Sequence, residues 1–261
     1  MAQDRIAVRI DGFKDEDSAP FVGYAPRSSA RFWSRVDTLR RWLDAEVLGI
    51  ENLPRGRALI VMNHAFGWDA MLPMAAIRQR TGRRVWALGE HAWWKFPFLR
   101  KLAANVGTVD GTPENVDRLL SANELVLVLP GGLRESMKPR ELRYRLIWGK
   151  RFGFVRAAMR NRAPLVPLAA IGSDEVFDLV GDPFARGKRL LGIDFPVPRP
   201  AWGLPIVHRS HLRYVVGEPI ETAPRSGEEE ETAVRRVRRE IRGAIEEILD
   251  EELAARAGFG A

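Results

Sequence analysis

The chain has 261 residues, which suits one large domain or one domain with a small appendage. Hydrophobic residues make up 46% and charged residues 29%, a globular composition in which no apolar run reaches the roughly 18–20 residues of a membrane-spanning helix. Cysteine is absent, which excludes disulfides, thiolate metal sites and a cysteine nucleophile; with no apolar leader core in the first twenty residues, a cytoplasmic address is expected. The formal net charge is +7, unevenly spread. Residues 228–256 carry ten acidic and six basic side chains, whereas 134–162 carries ten Lys and Arg against Glu135 and Glu141. That stretch is either a solvated basic face or a surface for polyanions, such as nucleic acid, anionic lipid or the phosphates of a nucleotide-tailed substrate.

In chain order, residues 1–27 read as irregular. Over 28–47, Phe32, Val36, Leu39, Leu43 and Val47 recur at helical spacing, which predicts an amphipathic helix. It divides the chain into an N-terminal segment, 1–50, and a main domain, 51–261. "ALIVMNH" is a short buried strand and "DAMLPMAAIRQR" a helix with an early proline. "RRVWALGE" is a strand, and "GTVDGTPENVDRLL" reads as strand, turn and helix. "ELVLVLPGG" is the clearest strand, "GKRFGFVRAAMRNR" a helix and "APLVPLAAIG" a strand that Pro167 places at a sheet edge or ends. Residues 174–211 look loop-like, "HLRYVVGEPI" is a late strand, and a long helix starts at Ser226 with Glu229 completing a capping box. Strands alternating with helices predict an α/β fold with a mixed, largely parallel central sheet flanked by helices.

Two stretches carry candidate chemistry. In "NHAFGWDA", His64 lies just past a strand, where α/β sheets place ligands, and Asp69 follows across a turn containing Gly67. Either Asp69 orients His64 as a general base, or it is a helix N-cap that happens to be a neighbour. In "LVLVLPGGLRES", Gly131 and Gly132 allow a sharp turn and close approach of backbone to a ligand. Arg134 offers a bidentate fork for phosphate or carboxylate, and Glu135 an acceptor for a hydroxyl or a partner for arginine. No metal site is expected, because only His208 and His211 lie close together among four histidines.

Four blocks, "NHAFGWD", "GTVDGTPEN", "LPGGLRES" and "APLVPLAAIG", stand in an order that resembles the glycerolipid (PlsC-type lysophospholipid) acyltransferase superfamily. The third block, with "GKRFGFVRAAMRNR" and "LRYVVGEPI", is nearer its diacylglycerol acyltransferase and phytyl ester synthase branch. The resemblance spans about residues 40–222. It implies a glycerol-3-phosphate acyltransferase-like fold and an O-acyltransferase that takes acyl groups from acyl-CoA or acyl-carrier protein, with no cofactor. His64 would deprotonate a lipid hydroxyl, Asp69 would orient it, and Gly131, Gly132, Arg134 and Glu135 would contact substrate, with backbone N–H groups of the glycines facing the oxyanion. Two positions depart from the pattern. Gly131 stands where the family has a glutamate, with Glu135 following later. Asp110 and Gly111 stand near a phosphate-binding arginine, which favours a less charged acceptor such as a mono- or diacylglycerol.

Such an enzyme would lie on the cytoplasmic face of a membrane as a peripheral protein. The candidate contacts are Phe32, Trp33 and Trp42 beside arginines, and the aromatic segment Trp93, Trp94, Phe96 and Phe98. A lipid or thioester hydrolase on the same scaffold is the alternative. A basic nucleic-acid-binding protein is the other alternative; no nucleic-acid partner is expected, because no recognisable module accompanies the basic stretch.

Overall fold

The computed structural model describes residues 26–65, 69–89, 103, 106–192, 196–200 and 210–259. Along them run α1 (Pro26–Trp42), β1 (Glu46–Leu48), β2 (Ala58–Met62), α2 (Met71–Thr81), β3 (Val85–Gly89), β4 (Thr108–Asp110), α3 (Pro113–Ser121) and β5 (Leu125–Val128). There follow α4 (Gly132–Ser136), α5 (Gly153–Arg160), β6 (Leu165–Ile171), α6 (Pro183–Leu191), β7 (Arg213–Val216) and α7 (Glu230–Phe259). The seven strands form one sheet in the order β1-β7-β6-β2-β5-β3-β4. From β6 to β4 every neighbouring pair is parallel; β7 turns antiparallel against β6, and β1 runs parallel to β7. The predicted class, α/β with a mixed and largely parallel sheet, is the observed one.

The strands are continuous apolar runs because both faces of the sheet are covered. Alternate residues divide between two cores. Ile60, Met62, Leu125, Leu127, Val166 and Leu168 meet α1 and α2 on one face. Leu59, Val61, Val126, Leu165 and Ala169 meet α3, α5 and α7 on the other, where Val234, Val237, Ile241, Ile245 and Leu249 form the expected stripe of the long helix. This three-layer arrangement puts the carboxyl ends of β2, β5 and β6 side by side, and the loops that leave them build the site.

Four sequence expectations need correction. The N-terminal helix stops at Trp42, and Val47 belongs to edge strand β1. Asp44 adopts a left-handed φ of 52°, and the N–H groups of Asp44 and Ala45 donate to the carbonyls of Arg41 and Arg40, which is a Schellman end. Trp33 and Val36 are buried against the core, whereas Trp42 stays 76% exposed. Pro167 neither ends β6 nor lies on an edge strand, for β6 is flanked by β2 and β7. Between the Leu168–Val216 and Leu165–Ile220 pairs, two residues of β6 oppose three of the returning chain. The Pro167 carbonyl accepts from Gly217 N–H at this bulge, so the N–H that proline lacks falls where the ladder is already broken. The region 174–211 contains a helix, α6, started by Asp182, whose carboxylate accepts from the N–H groups of Phe184 and Ala185. Finally, α7 begins at Glu230 rather than Ser226, because Gly227 takes a φ of 75° and Glu228 accepts from Arg225 N–H in a separate turn.

The bulge leaves no room for a side chain at residue 217. A Cβ there would stand 2.8 Å from Pro167 Cγ and 2.9 Å from Ile248 Cδ1. Gly217→Ala is expected to cost about 1–3 kcal/mol in urea unfolding, and Ile248→Val in the same background should return part of that loss by removing one of the obstructing methyls.

Candidate active site

The site begins where β2 leaves the sheet. Asn63, fully buried, donates its amide N–H to Ala170 O (3.0 Å) and accepts from Ala170 N–H (2.7 Å), so a side chain continues the pairing that strand geometry no longer supplies. His64 therefore starts from a fixed point. Its Nδ1 lies 3.0 and 3.2 Å from the two carboxylate oxygens of Asp69. A carboxylate only accepts, so Nδ1 carries the proton and Nε2 holds the lone pair in the neutral ring.

Asp69 is wholly buried, and its oxygens also accept from the N–H groups of Ala65 (2.8 Å) and Ala70 (3.0 Å). It does not cap α2, whose N-cap position is Ala70. Of the two readings open in the sequence, the geometry has the carboxylate on the histidine. Residues 66–68, with Gly67, lie outside the described residues, as do the aromatic segment 93–98 and His208.

From β5 comes the second half. Glu135, on α4, is also wholly buried; Oε1 accepts from His64 N–H (2.7 Å) and Oε2 from Ile147 N–H (2.6 Å). Both oxygens being acceptors, the ionised form is the one that fits. Lys138, one turn on, donates to His64 O (3.2 Å) and pairs with Asp174 (2.9 Å), with both side chains 2% exposed. Asp174 follows β6 and accepts in addition from Tyr144 N–H (2.6 Å). Three carboxylates, one ammonium and one imidazole thus share a buried cluster. Burial of the His64 ring opposes its charge, but the Asp69 carboxylate, its hydrogen bond and the Glu135 charge outweigh burial and the Lys138 ammonium, so the ring pKa stands above the ordinary 6.5. Burial pushes the Glu135 and Asp174 carboxyls up, and Lys138 pulls both part of the way back.

The glycine pair is explained by crowding. A Cβ on Gly131 would fall 2.2–2.4 Å from the Glu135 side chain, which folds back over that position on its way to His64. Gly132 has a φ of 53°, and a Cβ there would meet Arg151 Nη1 at 2.8 Å. Gly132 N–H donates to Leu129 O (3.0 Å), so it is engaged within the turn rather than turned toward an oxyanion. Arg134 is exposed and stacks its guanidinium 4.5 Å above the Phe184 ring. Glu135, expected at the substrate or on an arginine, instead has two backbone donors. His64, Asp69, Gly131 and Glu135 are brought together, while Arg134 points to a different neighbour.

Beside this cluster, at the carboxyl ends of β3 and β4, a hollow of about 540 Å³ is lined by Gly89, Asp110, Gly111, Thr112, Glu114 and Arg151 among others. Arg151 links it to the glycine turn by donating to Pro130 O (2.5 Å). Among the described residues no group of three or more His, Asp or Glu side chains could hold a metal ion, and no helix is long and apolar enough to cross a membrane. Sequence reasoning missed Asn63, Lys138 and Asp174. Lys138 was hidden in a run of surface cations and Asp174 in a stretch read as loop; neither carries a local signal, because their partners lie 30 and more residues away.

The sheet makes this an α/β protein with a His–Asp pair at its carboxyl edge, and comparison with known proteins gives the family. Residues 44–171 match the model of the Acyltransferase family, and the chain belongs to the acyltransferase superfamily, near its diacylglycerol acyltransferase-like branch. It is similar to an uncharacterized protein of Mycobacterium tuberculosis, 34% identical over 196 residues that cover 70% of this chain and 54% of that one. It is also similar to proteins named DGAT1/2-independent enzyme synthesizing storage lipids. The Gallus gallus protein is 31% identical, with 86% of this chain and 66% of that protein covered. The Homo sapiens protein is 31% identical, with 72% and 57% covered. The chain thus spans little more than half the length of most of these relatives.

Glu135→Ala is expected to leave two buried N–H donors without acceptors, at a cost of about 1–3 kcal/mol each in thermal or urea unfolding. Glu135→Gln, which keeps one acceptor oxygen, should cost clearly less.

Proposed function

We propose that the protein is a lipid O-acyltransferase that moves a fatty acyl group from an acyl thioester, carried by CoA or an acyl-carrier protein, to the hydroxyl of a glycerolipid. The observation that carries this reading is the His64 ring held through Nδ1 on a buried Asp69, which leaves Nε2 as the basic nitrogen at the carboxyl edge of the sheet. Nε2 takes the proton of the acceptor hydroxyl as its oxygen attacks the thioester carbonyl. The C–S bond of the resulting tetrahedral species breaks, and the departing thiolate recovers the proton from the imidazolium. Asp69 keeps the ring in the right tautomer and stabilises its charge. No acyl-enzyme is needed, in keeping with a chain that has no cysteine.

The relatives named for storage-lipid synthesis support a neutral lipid acceptor. The hollow supports it in part: Asp110 and Glu114 on its wall outnumber Arg151, a balance that suits hydroxyl groups better than a phosphate. Exposed Trp42 and Leu39, at the end of α1, support contact with a lipid surface. Exposed Arg134 supports the donor's phosphates.

The test is mass spectrometry of lipid products after incubation with acyl-CoA or acyl-carrier protein and a panel of acceptor alcohols. Acyl transfer should require an acceptor; free acid released at the same rate without one would make the protein a hydrolase. His64→Ala should abolish transfer in a folded protein. Asp69→Asn should lower turnover by about 10²–10⁴-fold through loss of tautomer and charge. Because the base must be neutral, the rate should rise with pH through the elevated His64 pKa, placing the acid limb above 6.5. Asp69→Asn should move that limb to lower pH, since the carboxylate that favours the charged ring is gone.

A further inference from the structure

His64 lies beyond the end of β2, so its own N–H and C=O make no ladder bonds. Both are nevertheless satisfied, by two side chains three residues apart, one on α4 and one in the turn just after it: Glu135 accepts from the N–H at 2.7 Å, and Lys138 donates to the C=O at 3.2 Å. The peptide between His64 and Ala65 is held at its other pole as well, since Ala65 N–H donates to Asp69 (2.8 Å). Lys138 is in turn fixed by Asp174 at 2.9 Å, a pair 2% exposed on each side. A buried ion pair is weak support for stability by itself, because desolvation offsets most of its attraction. Here the ammonium is aimed at the carbonyl of the one residue whose ring must be held still.

We propose that Lys138 is a positioning residue for His64, closing with Glu135 a two-point clamp on the histidine backbone that delivers the imidazole to the acceptor hydroxyl. This rests on reading His64 as the general base. The charged groups facing the ring are Asp69 from its own loop, Glu135 from α4 and Lys138 from the turn after α4; behind them stand Asp174 after β6 and Tyr214 on β7, the latter beside Asp69. Lys138 is the cation of this set, so its removal should make His64 easier to protonate, whereas removal of Glu135 should do the opposite.

A chain without cysteine allows a direct test. Lys138→Cys carries the sole thiol, which can be alkylated in denaturant, either with bromoethylamine to restore an ammonium at nearly the lysine reach or with a propyl group of similar length and no charge. After refolding, turnover, KM and the His64 ring signal by NMR are measured, the last needing no substrate. Lys138→Cys and its propylated form should lose about 10- to 100-fold in kcat with KM changed by no more than about two-fold, and the His64 titration should move to higher pH. Aminoethylation should restore turnover and titration together. Equal recovery with the propyl group, or an unchanged titration and turnover in Lys138→Cys, would overturn the clamp and leave Lys138 as packing. Should Lys138→Cys not refold, Lys138→Met with Asp174→Asn removes both members of the buried ion pair and should fold with the same loss of kcat; wild-type turnover in that double variant also overturns the proposal. If the wild-type protein transfers no acyl group at all, the functional reading fails, and the NMR titration still decides whether Lys138 governs the His64 ring.

Discussion

Everything at the carboxyl edge depends on how backbone groups are satisfied once β2 and β5 stop pairing. A buried N–H or C=O without a partner costs as much as a lost hydrogen bond, and more when it cannot reach water. Strand ladders end at Met62 and Val128, so side chains take over. Asn63 continues the pairing to β6, Asp69 binds two N–H groups of its own loop, and Glu135 binds one N–H from the β2 loop and one from residue 147. The polar residues of the site are thus scaffold and chemistry together. Removing one of them disturbs the position of the others.

That dual use explains the unusual amount of charge kept from water. Asp69, Glu135, Lys138 and Asp174 are all buried, a concentration that ordinary cores avoid. Each carboxylate is met by several donors or by the ammonium, which is the condition for tolerating it. The surplus of negative charge around His64 biases the ring toward its protonated form and so raises its basicity. In the proposed reaction, a base that takes a proton from an alcohol and returns it to a thiolate would benefit from such a bias.

The same economy shapes the glycine turn. In the sequence, "PGG" suggests a place for a ligand to approach backbone. In the fold, Gly131 is small because the Glu135 side chain passes through the volume a Cβ would fill, and Gly132 because it adopts a positive φ against Arg151. Glycine was legible there as a steric demand, but whether the crowding came from a ligand or from the protein itself was not.

The sequence by itself determined the layers. Apolar runs bounded by turn residues located β2 and β5, the position of Pro113 suited the first turn of α3, and spacing at 3.6 residues gave the stripe of α7, all of them local properties. The sequence also placed His64 and Asp69 at a strand end, since their separation is only five residues. Tertiary structure decided what distant segments do to one another. Pro167 sits in an inner strand because a bulge in the returning chain removes the bond proline cannot make. Trp33 turned inward and Trp42 outward because α2 covers one side of α1. Lys138 and Asp174 found each other, and Glu135 found the backbone of His64, because sheet order sets β2 between β5 and β6. Long-range pairing of that kind leaves no mark on local spacing, which is why the His64–Asp69 pair was visible in the sequence and the contacts of Glu135 and Lys138 with the His64 backbone were not.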